Sequence, residues 1–192
     1  SGQVVHLRFK AAAAFFREDG EFLDQIQSNL FYALDHAKLT NTDDVVFYSK
    51  ELFAQKKYMT RLKEAIRECV DEDCKGFRIV MQPIVETKSE VCDAAEVLLR
   101  FTHPEFGVIS PMDFIPILEN SREIIRVGKW VIDQSLQTLA KWREQIGHMP
   151  LKRLQINVSY VQFKDPELLG YVVERLDHYR IPHLSLIHIS EP

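Results

Sequence analysis

The spacing of apolar positions changes several times along the chain, and each change marks an element. Phe22, Ile26, Leu30 and Leu34 recur at helical intervals, with Leu23 and Phe31 widening the stripe. The polar turn Thr40-Asn41-Thr42-Asp43-Asp44 closes that helix, and Val45-Val46-Phe47-Tyr48 follows as a short strand. One short helix and one short strand cannot enclose a core. The first stretch, to about residue 49, is therefore expected to be the tail of a larger domain. From Lys50 to about Asp73 the chain turns charged and helix-friendly, with Tyr58, Leu62, Ala65, Ile66 and Cys69 on one side. That pattern predicts a connecting helix.

Beyond it, Phe77 to Val85 and Cys92 to Phe101 read as strands. The polar link between them is short enough for a hairpin. Ser110-Pro111-Met112-Asp113 carries the signs of a helix start: serine as N-cap, proline at the first helical position, an acid in the first turn. A long amphipathic helix follows from about Arg122 to Gln145, with Ile124, Val127, Val131, Leu139 and Trp142 in its stripe. Leu154 to Ser159 is expected as a strand, and Asp165-Pro166 opens another helix carrying Leu168, Leu169, Val172, Val173 and Leu176. The order strand, helices, strand, helix, strand start predicts an α/β fold of parallel strands with helical crossovers. Its four strands make an incomplete sheet, so the chain is expected to stop partway through an α/β barrel or open sheet.

Composition narrows this only a little. The chain is 46% hydrophobic and 27% charged, ordinary values for a globular protein with a core. A formal net charge of -4 gives no electrostatic case for a nucleic acid polymer or an anionic membrane. Any anionic ligand must then be met by a local site. Cys69, Cys74 and Cys92 are odd in number and lack zinc spacing, which fits reduced thiols in a cytosolic compartment better than a disulfide framework. No apolar run approaches the roughly 20 residues of a membrane span. The chain begins at Ser1 without a methionine, so a fragment is expected, with an upstream sensor or membrane segment left open.

The candidate chemistry comes from alternation within strands. Glu96, Leu98 and Arg100 fall on one strand face, with Ala95, Val97 and Leu99 on the other. Gln155, Asn157 and Ser159 likewise share a face opposite Leu154, Ile156 and Val158. A carboxylate, a guanidinium and an amide directed into one interior are costly unless they are paired or bind something. Carboxylate and amide oxygens suit Mg²⁺ or Mn²⁺, and a nearby arginine suits a phosphate. Two readings stand at this point: a phosphate-and-metal site, or a structural ion pair between Glu96 and Arg100.

A series of ordered motifs resembles the EAL domain family, over about Tyr58 to Pro182. Phe77-Arg78-Ile79-Val80-Met81-Gln82-Pro83-Ile84-Val85 is similar to its first strand. Glu96-Val97-Leu98-Leu99-Arg100 resembles the signature E-x-L-x-R, with Val97 where the naming alanine usually stands. His103-Pro104-Glu105-Phe106-Gly107-Val108-Ile109-Ser110-Pro111, then Phe114-Ile115-Pro116 with Glu119, Gly128-Lys129-Trp130-Val131, Ile156-Asn157-Val158-Ser159 and Gln162 continue in register. Upstream, Ala33-Leu34-Asp35-His36-Ala37-Lys38 and Val45-Val46-Phe47-Tyr48 resemble the closing helix and strand of a GGDEF domain. The GGDEF motif itself is absent, so nothing supports cyclase activity.

The resemblance implies a modified TIM-like (β/α)8 barrel, here its first half, behind the end of an α/β GGDEF domain. The implied divisions are 1–49 for the GGDEF remnant, 50–73 for the linking helix, 58–183 for the front of the EAL domain and 184–192 for a non-native tail. It implies hydrolysis of cyclic di-GMP to linear pGpG with two divalent cations, Mg²⁺ or Mn²⁺. Glu96 and Asn157 would be metal ligands. Gln82, Leu98 and Arg100 would contact the dinucleotide, Arg100 through a phosphate. No catalytic group beyond the metal ligands is implied within the chain, and these 192 residues alone are expected to be inactive. The alternative is a degenerate EAL domain that binds cyclic di-GMP, or a protein partner, without turnover. Each residue also has a plainer role open to it: Gln82 satisfying backbone groups, Asn157 bridging strands.

The resemblance further implies a cytoplasmic EAL portion, a homodimer through that domain, and a parent that an upstream segment could anchor to a membrane. Glu119 reads as a solvated helix carboxylate and His103 as a structural loop histidine. His178, His183 and His188 fit no zinc pattern. Leu184 to Pro192 resembles the translation of a transposon-based sequencing adapter, which makes Glu191 a decoy for the family's next metal-binding glutamate.

Overall fold

The structure is a computed structural model that describes residues 9–87, 90 and 92–182. It divides into two compact units, one ending at Leu62 and the other beginning at Lys63.

In the first unit, strand β1 (Ala11–Ala13), helix α1 (Leu23–Leu39) and strand β2 (Val45–Phe47) precede the start of helix α2 (Lys50–Asp71). The parallel pairing of β1 with β2 aligns Ala11 with Val45 and Ala13 with Phe47. A run of alanines has little strand preference of its own, so β1 exists through its pairing. Ile26, Ala33 and Ala37 are the buried stripe of α1, while Phe22, Phe31 and Leu39 stay exposed. Phe22 and Phe31, expected on the buried side, therefore find no cover among the described residues.

The second unit is built on a hairpin. Strand β3 (Phe77–Val85) runs antiparallel to β4 (Cys92–His103), from Phe77 opposite Phe101 to Ile84 opposite Ala94. The other edge of β4 is shared. Strand β5 (Gly107–Ile109) pairs antiparallel with its end, and β6 (Arg153–Ile156) pairs parallel with Ala94 to Val97. The sheet is thus mixed, and β4–β6 is its single parallel pair among the described residues. Alternation of element types had suggested more parallel pairing. The difference arises at His103–Gly107, where Gly107 at φ +68° lets the chain turn back on β4. The strand expected after the last helix falls outside the described residues.

Helix α3 (Pro111–Ser121) starts as the sequence indicates, with the Ser110 hydroxyl accepting from the Met112 amide at 3.3 Å. Arg122 in the left-handed region separates it from α4 (Glu123–Ile146), which ends at Gly147 with φ +79°. The short helix α5 (Tyr160–Phe163) and helix α6 (Leu168–Tyr179) follow β6. Asp165 accepts from the Glu167 amide at 3.1 Å, so the capping acid acts just ahead of α6.

One sheet face carries the core. Val97, Phe101, Leu154 and Ile156 are buried with Phe114, Leu118, Val127, Leu136 and Leu139 from α3 and α4. Phe77 stacks on Phe101 at 4.2 Å between centroids, and Phe114 meets both edge-on at 5.9 and 5.8 Å. Each such side chain contributes about 1.5–3 kcal/mol by burial. Among the described residues, no helix is long and apolar enough to cross a membrane.

Candidate functional site

The face of β4 opposite that core carries the polar residues. Ala95 and Val97 are only 4% and 3% exposed on the core side, which turns Glu96, Leu98 and Arg100 the other way. Register fixes the neighbours of Glu96: Gln82 lies directly opposite on β3, and Gln155 directly opposite on β6. Asn157, the first residue past β6, donates its Nδ2 to Oε1 of Glu96 at 2.8 Å. That distance is within the ordinary range of an N–H···O hydrogen bond.

Arg100 stands about 13 Å further along the strand, four residues on. Its Nη1 donates to the Leu99 carbonyl at 2.9 Å, while the Glu96 carboxylate is met by Asn157, so the two do not pair with each other in the structure. Leu98 is half-buried between them, and Gln82 is exposed. Of the five expected site residues, the fold joins Glu96 and Asn157 directly and sets Gln82 beside Glu96. Leu98 and Arg100 extend the same face.

The donor set fits part of a site for a hard divalent cation. Mg²⁺ takes one or two protein oxygens and completes its shell with water and substrate phosphate. Glu96 and Asn157 supply a carboxylate and an amide oxygen. No group of three or more His, Cys, Asp or Glu that could hold a metal converges among the described residues, so these two are a partial set.

Other reactive groups are occupied elsewhere. His103 Nδ1 accepts from the Glu105 amide at 3.2 Å, and its ring contacts Phe101 and Phe106. Burial pushes the Cys74 thiol up to about 11 and raises Cys69 as well, which keeps both from acting as thiolates near neutral pH. His178 is exposed and packs edge-on against Tyr179, while His183, His188, Glu191 and the whole of 184–192 lie outside the described residues.

Two residues that the sequence reading named without giving them a role in the site stand out. Gln155 is the cross-strand neighbour of Glu96, and the alternation that singled out Asn157 contained that signal. Gln162 is 4% exposed, and its amide lies against Gly128 of α4. On the core side, a cavity of about 190 Å³ is lined by Val97, Ile156, Val127 and Val131 among others. The valine in the signature strand therefore faces this cavity and not Glu96.

Comparison with known proteins gives a consistent result. The EAL domain family matches residues 60–191. Cyclic di-GMP phosphodiesterase PA2567 of Pseudomonas aeruginosa is 32% identical over 128 residues, 67% of this chain and 21% of that protein. The bifunctional diguanylate cyclase/cyclic di-GMP phosphodiesterase MucR of the same species is 25% identical over 192 residues, 100% of this chain and 27% of its own length. Among solved structures, the PaMucR phosphodiesterase in complex with c-di-GMP superposes with a TM-score of 0.59 at 26% identity, covering 66% of this chain and 50% of that one. The chain thus spans only about a quarter of those curated relatives.

Proposed function

The chain belongs to the EAL domain family, and on that premise we propose that its second unit is part of a metal-dependent phosphodiesterase that opens cyclic di-GMP to linear pGpG. The observation that carries this reading is the 2.8 Å contact between Asn157 and Glu96. It brings the Asn157 side-chain amide against the Glu96 carboxylate at one end of a polar sheet face, and this reading takes the oxygens of that pair as hard donors. Divalent cations held there would activate water and stabilise charge on the phosphodiester.

The protein groups have separable tasks in this reading. Glu96 and Asn157 hold the cation end. Arg100, about 13 Å along the strand, receives a phosphate oxygen of an extended ligand through its planar donor fork. Leu98 between them offers an apolar contact, and Gln82 a polar one beside Glu96. The solved relative is matched over half its length, so the rest of the site is assigned to chain beyond the described residues. The upstream unit as the end of a GGDEF domain, and the sheet as the opening of a TIM-like barrel, belong to the same proposal.

The test is turnover of cyclic di-GMP, with Mg²⁺ or Mn²⁺, by a protein carrying these residues and the remainder of the domain. Glu96→Gln is expected to lower kcat by at least about 10²-fold, in line with lost charge stabilisation at a phosphoryl centre. Arg100→Ala should act mainly on KM. Undiminished turnover in Glu96→Gln sinks the assignment. Tight binding of cyclic di-GMP without turnover in the unaltered protein would identify a receptor instead.

A further inference from the structure

The ladder between β4 and β6 ends at Ile156 opposite Val97, so Asn157 lies just beyond it. Its direction depends on the three-residue run 157–159 and on what fixes the far end of that run. The far end is Ser159. Its hydroxyl accepts from the Gln162 amide at 3.4 Å, and its own amide donates to Oε1 of Gln162 at 2.8 Å, a reciprocal capping box. Ser159 and Gln162 are 5% and 4% exposed.

The Gln162 side chain is seated in turn on α4. A Cβ placed at Gly128 would come within 1.6 Å of its Nε2 and 2.9 Å of its Cδ. A flexible side-chain end could ordinarily swing away from such a contact. Here it cannot do so without giving up the bond to Ser159. Lys129, the next residue of α4, holds Asp165 at 3.1 Å and Glu167 at 3.2 Å, a second tie between α4 and the chain just after α5. Gly128, Asn157, Ser159 and Gln162 also line the cavity of about 190 Å³. If the Gln162 strut were removed, the run 157–159 would have space to relax into.

We propose that Gln162, seated on Gly128, is a positioning residue that holds Asn157 against Glu96. This deepens the metal-site reading and rests on it for its purpose, though not for its geometry. The opposing reading makes Gln162 a helix cap that stabilises α5 and leaves Asn157 indifferent.

Nuclear magnetic resonance on the 192-residue chain distinguishes the two through solvent exchange of the Asn157 side-chain amide, measured first without metal. Gln162→Ala is expected to speed that exchange by about tenfold, the upper end of what losing one net hydrogen bond gives. Gln162→Glu keeps an acceptor for the Ser159 amide and should restore slow exchange. Gly128→Ala should mimic Gln162→Ala by forcing the amide off Ser159. The double variant relieves that clash, so it should melt higher than Gly128→Ala alone while Asn157 stays fast.

Unchanged exchange at Asn157 in both Gln162→Ala and Gly128→Ala, even with a lower melting temperature, overturns the proposal and leaves a simple cap. Added Mn²⁺ then tests the underlying reading separately. Broadening of the Asn157 amide in the unaltered chain, needing about tenfold more Mn²⁺ in Gln162→Ala, supports both. A sharp Asn157 signal at every Mn²⁺ concentration, with fast metal-free exchange in Gln162→Ala, sustains the strut and removes the metal.

Discussion

Val97 fills space that an alanine would leave open. It is 3% exposed and borders the cavity beneath the sheet, so truncation enlarges a void that the neighbours only partly close. Val97→Ala should cost about 1–3 kcal/mol, read as a lower denaturation midpoint at an unchanged slope. Because the side chain faces the core, contacts made by Glu96 should not change. Gly76 is constrained more severely. It sits at φ +81°, and an added Cβ would approach the Thr102 carbonyl oxygen to 2.5 Å. Gly76→Ala combines left-handed strain with a backbone clash and should cost about 1–3 kcal/mol or more, by the same measurement. At this scale, alternation in the sequence was enough to say which way residues 95–100 point. It could not say that Asn157 reaches Glu96 rather than Leu98, its neighbour by register, because that depends on a turn beyond the strand.

At the scale of elements, helices α4 and α6 and the segment between α5 and α6 are tied by ion pairs that a one-dimensional pattern does not disclose. Lys129 meets Asp165 and Glu167, and Asp133 meets Arg175 and accepts from Tyr179. The Asp165 carboxyl is held below its ordinary range, first by the Glu167 backbone amide and then by Lys129. A lowered folded-state value contributes stability above the unfolded value of about 3.9 and loses it as pH falls through the lower folded one. Stability followed by circular dichroism should therefore fall as pH drops below about 3.9 toward the folded-state value, a dependence that free carboxyls would not give. Asp165→Asn should remove that part of the pH dependence while leaving neutral-pH helix content unchanged. Helix starts at Ser110 and Asp165 were legible because capping is local chemistry. The strands β1 and β5 were not, since Ala11–Ala13 and Gly107–Ile109 are too short for periodicity and take strand form only against a partner.

For the whole molecule, the informative surface is the one left apolar. Phe15, Phe16, Phe22, Phe31 and Phe47 are all more than half exposed in the first unit, and β3 and β6 each have one edge unpaired among the described residues. Exposed aromatics and open edges favour association. The 192 residues alone are expected to self-associate, with sedimentation giving a mass above 22.4 kDa that rises with concentration. A concentration-independent monomer would contradict this. The sequence by itself determined the hairpin and the long helices of the second unit and the polar face of the signature strand, because helix and strand periods, caps and alternation are properties of neighbours in the chain. Tertiary structure alone decided that β5 folds back antiparallel, that Asn157 closes on Glu96, and that Gly128 must lack a side chain for Gln162 to brace that contact. The last two depend on groups many residues apart meeting at a distance set by packing, and no local pattern encodes such a distance.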